Sequence, residues 1–118
     1  MNPPRVPDYL GHILEAIERI QRYTEDMDET GFFLSQITQD AVVRNLEIIG
    51  EASRNVEREQ PGFSEAHPEL PLIFAYEMRN KLTHGYFKVD LGIVWSTIEN
   101  QLPEFYEQLS GVLKALDG

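Results

Sequence analysis

Residues 35–59 read SQITQDAVVRNLEIIGEASRNVERE. Wound at about 100° per residue, Ile37, Ala41, Ile48, Ile49, Ala52 and Val56 cluster on one face of this stretch. That spacing predicts one long amphipathic helix from Ser35 to Glu59. Gly50 costs such a helix about 1 kcal/mol relative to alanine, which suits a place where another helix or a ligand comes close. Pro61 and Gly62 end the stretch, and a loop is expected as far as Pro71.

The same period continues on both sides. From Asp8 to Tyr23, Leu10, Ile13, Leu14, Ile17 and Ile20 carry helical spacing, with Glu15–Arg19 and Glu18–Arg22 as i,i+4 pairs on the solvent side. Asp26 to Gly31 reads as a turn. Phe32 and Phe33 are adjacent, so both cannot face one core. A further helix starts near Pro71, with Leu72, Ala75, Met78 and Leu82 as its buried side and Gly85 as its C-terminal cap. Asp90 is an expected N-cap. Leu91, Val94, Trp95, Ile98, Leu102, Phe105, Leu109, Val112 and Leu116 then keep one stripe, which Pro103 should kink or divide. No strand-like alternation appears. The expected fold is all-α: an antiparallel bundle of four to five helices, forming a single domain over residues 1–118.

Composition narrows the possible functions. The chain has 118 residues, with 42% hydrophobic and 25% charged residues, an ordinary globular balance. It has no cysteine, which excludes disulfides and thiolate metal sites. No apolar run approaches the roughly 20 residues of a membrane span, and Met1 to Arg5 lacks the apolar stretch of a signal peptide, so a cytoplasmic protein without membrane attachment is expected. The net charge of −10 argues against a long electrostatic track on nucleic acid and leaves room only for a small local site. His12 falls off the apolar face of its helix and His67 sits in a loop. With three scattered histidines and no cysteine, neither a metal nor another cofactor is expected.

The residues that carry chemistry lie in Arg79-Asn80-Lys81-Leu82-Thr83-His84-Gly85-Tyr86. On the helical wheel Tyr76, Arg79, Asn80, Thr83 and His84 share the side away from the apolar face. Arg79 has no acidic neighbour three or four residues away, so it is either a structural arginine paired with Glu51 or an anion ligand. Glu51 in turn either orients Arg79 and lines a cleft or is half of a structural ion pair. Asn45 is expected to be a buried amide bonded to backbone, or to reach the motif helix. Trp95 and Phe105 read as core. His84 interacts with its helix dipole or moves protons. Together, Arg79 offers donors that match phosphate oxygens and His84 a proton carrier near pH 7. RNA supplies its own nucleophile, the 2′-hydroxyl, so such a pair can cleave it without metal. One histidine cannot easily be both acid and base, a difficulty that a two-fold dimer with two motifs would remove.

The segment from Arg79 to Tyr86 resembles the Arg-x4-His-x-Tyr motif of the HEPN superfamily, specifically the HepT-type toxins. Ile48-Ile49-Gly50-Glu51-Ala52, and Tyr86-Phe87-Lys88-Val89-Asp90 followed by Val94-Trp95, also resemble that family, and the likeness runs from about Tyr9 to Leu109. Leu72 and Glu77 depart from the family's frequent Trp and Gly, off the catalytic positions. The resemblance implies a helical homodimer with both motifs at a shared cleft, acting as a metal-independent endoribonuclease toxin on RNA. It implies an MntA-type nucleotidyltransferase antitoxin as partner, which transfers AMP to the motif tyrosine. Carried onto this chain, Arg79 binds phosphate, His84 transfers protons, Asn80 supports them and Tyr86 is modified. Two rival readings stay open: a non-catalytic nucleotide- or RNA-binding module that regulates a minimal nucleotidyltransferase, and a purely structural helical adaptor.

Overall fold

The computed structural model describes residues 5–84 and 90–117, apart from the side chains at 83, 84 and 117. Every regular element among them is helical. Helix α1 spans Val6–Thr24, with Pro7 in its first turn, where a missing N–H costs nothing. The Asp8 carboxylate accepts the Arg5 N–H at 2.9 Å at its start. Helix α2 covers Glu29–Leu34 and α3 covers Gln36–Glu59. The single turn α4, Phe63–Ala66, lies within the loop expected before Pro71, and α5 runs over Leu72–His84. Helix α6, Leu91–Ser96, passes through a π-helical segment, Thr97–Gln101, directly into α7, Leu102–Asp117.

The long helix is the centre of the bundle: α1 and α5 both pack on α3, and α7 packs on α1. Leu10, Ile13, Ile17 and Ile20 of α1 meet Val42, Ile49 and Val56 of α3, with Leu72, Val94 and Leu109 completing a fully buried layer. Burial of each such side chain is worth about 1.5–3 kcal/mol. Trp95 and Phe105 are buried as expected. Phe32 is buried with its ring 5.4 Å from that of Trp95, and Phe33 is left exposed.

Three expectations are corrected. Asp26 to Gly31 is not all turn, because Asp28 caps α2 by accepting the Gly31 N–H at 2.8 Å and the helix begins at Glu29. Ile37 is not on the buried face of α3: it is 85% exposed. The buried face is centred on Val42, Leu46, Ile49, Ser53 and Val56, and Ile37 lies about 140° round from Val42. Amides on that face hid it from a hydrophobicity pattern. Gln39 is buried there because its Nε2 donates to the Phe32 and Phe33 carbonyls, at 2.9 and 3.0 Å, closing the end of α2. Leu116, third, is exposed near the end of α7.

One expectation acquires a mechanism and one more is corrected. At Pro103 the chain widens into the π segment, where the Leu102 N–H reaches back to the Thr97 carbonyl. Proline cannot donate to residue 99 and its ring crowds that carbonyl, so a wider turn relieves both. Glu18 pairs with another helix and not with Arg22: Tyr106 Oη donates to its carboxylate at 3.2 Å, tying α7 to α1.

A candidate active site around Arg79

Gly50 decides where Arg79 lies. Leu72, Ala75 and Met78 turn the inner side of α5 onto α3, and the two backbones come together at Gly50. A Cβ added there would overlap the Arg79 stem and stand 2.8 Å from the Ala75 carbonyl oxygen. Without it, the Arg79 side chain passes over α3 beside the next residue, Glu51.

Two partners hold the guanidinium. Arg79 Nη2 lies 3.2 Å from Glu51 Oε2, and Nη1 donates to Asn80 Oδ1 at 3.0 Å. The side chains are 26% and 48% exposed at Arg79 and Glu51, so the pair sits at the rim of the fold. A pair this exposed is worth about 0–1 kcal/mol. Its main effect is orientation: it fixes the plane of the fork and leaves further N–H groups of the five for a ligand.

That fork opens onto a cleft of about 370 Å³ between α1 and α3. Tyr9, His12, Glu15 and Arg19 form one wall and Arg44, Glu47, Ile48, Glu51, Ala52 and Asn55 the other, with Arg79 reaching in from α5. Arg19 Nε donates to Asn45 Oδ1 at 3.0 Å, and Asn45 Nδ2 donates to the Ala41 carbonyl at 2.8 Å. The buried amide therefore braces a cleft arginine on α1 and does not reach α5. Glu15 stands 4.0 Å from Arg19, the expected i,i+4 pair. Among the described residues Arg44 has no salt bridge.

Of the residues singled out in the sequence, Arg79, Asn80 and Glu51 come together. His84 is the last residue of α5, about 7.5 Å along the axis from Arg79, and its side chain lies outside the described residues. Gly85 and Tyr86 lie outside them too. His67 is elsewhere, stacked on Phe63 at 4.3 Å and 3.3 Å from Glu69. His12, Arg19 and Arg44, which no sequence motif marks, line the cleft as well. The usable signal was a second, amphipathic stripe: Tyr9, His12, Glu15 and Arg19 recur every three or four residues along α1, as do Arg44, Ile48, Glu51 and Asn55 along α3.

Among the described residues no three His, Asp or Glu side chains group as a metal site, and no helix is long and apolar enough to cross a membrane. Fold and site define a small helical-bundle domain that holds an arginine fork at a cleft within the 300–1,000 Å³ range usual for ligand sites. The chain belongs to the ribonuclease HepT-like family, whose model matches residues 13–112. It is 44% identical over 96 residues to "Probable ribonuclease HepT" of Thermococcus cleftensis, covering 81% of this chain and 84% of that one. It is 37% identical over 114 residues to a "Putative RNase" of Caldanaerobacter subterraneus, covering 97% of each. A longer Methanocaldococcus jannaschii protein, "Gamma-glutamylcyclotransferase and putative RNase", is 43% identical over 109 residues; they cover 92% of this chain and 48% of that protein. No solved structure matches the chain.

Proposed function

We propose that this chain is an endoribonuclease that cleaves RNA through the 2′-hydroxyl without a metal ion, as the toxin of a toxin–antitoxin pair. The observation that carries the reading is the Arg79 fork, held by Glu51 and Asn80 at the rim of a nucleotide-sized cleft. Membership of a family described as ribonuclease HepT-like, and relatives named as RNases, support it. Arg79 binds the scissile phosphate and stabilises charge as it builds on the phosphoryl oxygens. His84 transfers a proton, Asn80 and Glu51 keep the fork in plane, and the active form is a homodimer in the cytoplasm. An MntA-type nucleotidyltransferase silences the enzyme by adding AMP to Tyr86, which puts bulk and negative charge where substrate phosphate must sit.

The test is an RNase assay in excess chelator on wild type, His84→Ala and Arg79→Lys. Wild type should cleave, His84→Ala should lose about 10²–10⁴-fold, and Arg79→Lys should lose activity with stability changed by less than about 1 kcal/mol. Equal cleavage by wild type and His84→Ala removes the catalytic assignment. The cleft also favours a second reading, a nucleotide-binding module that regulates such a nucleotidyltransferase. It requires tight nucleotide binding without RNA turnover.

A further inference from the structure

We propose that the groove between α3 and α5 beside Arg79 is a second subsite, which holds the nucleotide next to the scissile phosphate by stacking its base. This rests on the ribonuclease reading and extends that site along the substrate. Tyr76 shares a side of α5 with Arg79 and Asn80, yet the Arg79 site leaves it unused. Two contacts fix its place. Gly50 of α3 lies against Arg79, and one turn further along α3 the Arg54 guanidinium lies over the Tyr76 ring, 5.5 Å from its centroid. Advancing along α3 from Gly50 to Arg54 therefore runs back along α5 from Arg79 to Tyr76. The two helices are antiparallel there, and the Arg54–Tyr76 pair is the next layer of the same seam. By helical rise Tyr76 stands about 4.5 Å along the axis from Arg79, so one strand can touch both.

The seam opens at that layer into a groove of about 260 Å³, lined by Arg54 and Arg58 of α3 and by Leu72, Ile73 and Tyr76 of α5. This volume is below the range of sites that enclose a whole ligand, as suits a shelf for one base. The lining divides as a nucleotide does. Ile73, 61% exposed, and the half-buried Tyr76 ring offer apolar surface to a base. Arg54 and Arg58 are exposed and make no salt bridge among the described residues, so their charge is available to an anionic strand. The acid of the groove, Glu57, is spent on the Gly62 and Ser64 N–H groups. Because Arg54 is exposed, its pair with Tyr76 can take a third planar group, and bases stack on aromatic rings and on guanidinium planes alike.

The experiment measures binding of an all-2′-deoxy oligonucleotide, which cannot be cut through a 2′-hydroxyl, and of the same strand made abasic, to wild type, Tyr76→Ala, Tyr76→Phe and Arg54→Ala. Tyr76→Ala should weaken the base-bearing strand about 5- to 150-fold, the value of one stacked base. Tyr76→Phe, which keeps the ring, should bind close to wild type. Arg54→Ala, at an exposed position, should weaken the same strand without disturbing the core. The abasic strand should bind wild type and Tyr76→Ala alike. Wild-type affinity in Tyr76→Ala overturns the proposal, and so does an equal loss on the abasic strand, the outcome if Tyr76 only supports the fold. Binding that depends on the Tyr76 ring, in a protein that cleaves no RNA, removes the ribonuclease reading and leaves a strand-binding groove. Cleavage of RNA with binding indifferent to the ring removes the subsite alone.

Discussion

Gly50 is a poor helix former in the middle of the longest helix, and its missing side chain is what lets Arg79 lie across α3. Gly50→Ala sets two opposed effects against each other. Alanine favours the helix by about 1 kcal/mol, but its methyl group meets the Ala75 carbonyl and the Arg79 stem, and overpacking costs about 1–3 kcal/mol. Backbone on one side and a side-chain stem on the other cannot swing away, so overpacking should win. The urea midpoint of the variant should fall; a rise would mean that α3 and α5 separate freely. The sequence singled out Gly50 as a point of close approach without saying to what. It likewise singled out Arg79 and Glu51 as alternatives between structure and function. The 3.2 Å pair shows the structural half of that choice, and an ion pair this exposed orients more than it stabilises.

Among the elements, the elbow between α3 and α4 depends on one carboxylate. Glu57 accepts the Gly62 N–H at 2.6 Å and the Ser64 N–H at 3.0 Å, while Gly62 turns the chain at φ +91°. The Ser64 backbone bond, then that of Gly62, holds the Glu57 carboxyl below its ordinary value of 4.5. A carboxyl lowered in the fold adds stability above its ordinary value and loses it as pH falls through the lowered one. Glu57→Gln, which offers one acceptor oxygen in place of two, should therefore melt below wild type at neutral pH, and the gap should close in acid. A gap that stays constant with pH would show that the charge is irrelevant. Most helix ends were legible because caps are local chemistry: Ser35 accepts the Thr38 N–H and Asp90 that of Ile93, where the sequence begins those helices. Helix α2 was missed because Asp28 to Gly31 has turn composition, and an Asx cap looks the same whether a turn or a helix follows.

For the molecule as a whole, a net charge of −10 meets a single cleft with three arginines. If those three neutralise phosphates, single-stranded RNA should show a log affinity against log salt slope of about −2, at roughly 0.7 per phosphate. Fluorescence anisotropy with an uncleavable oligonucleotide over a potassium chloride series reads this slope, and one steeper than about −5 would reveal the long basic track that the composition argues against. The sequence by itself determined the helical class and the bounds of α1, α3 and α5 to within a turn, and offered Glu51 as a candidate partner of Arg79, since period, caps and breakers act over a few residues. Only the tertiary structure decided which face of α3 is buried, and that His12, Arg19 and Arg44 share a cleft with Arg79. Those facts depend on how α1 and α5 are rotated about α3. That rotation is set by side-chain packing across the whole core and at Gly50, and no single segment encodes it.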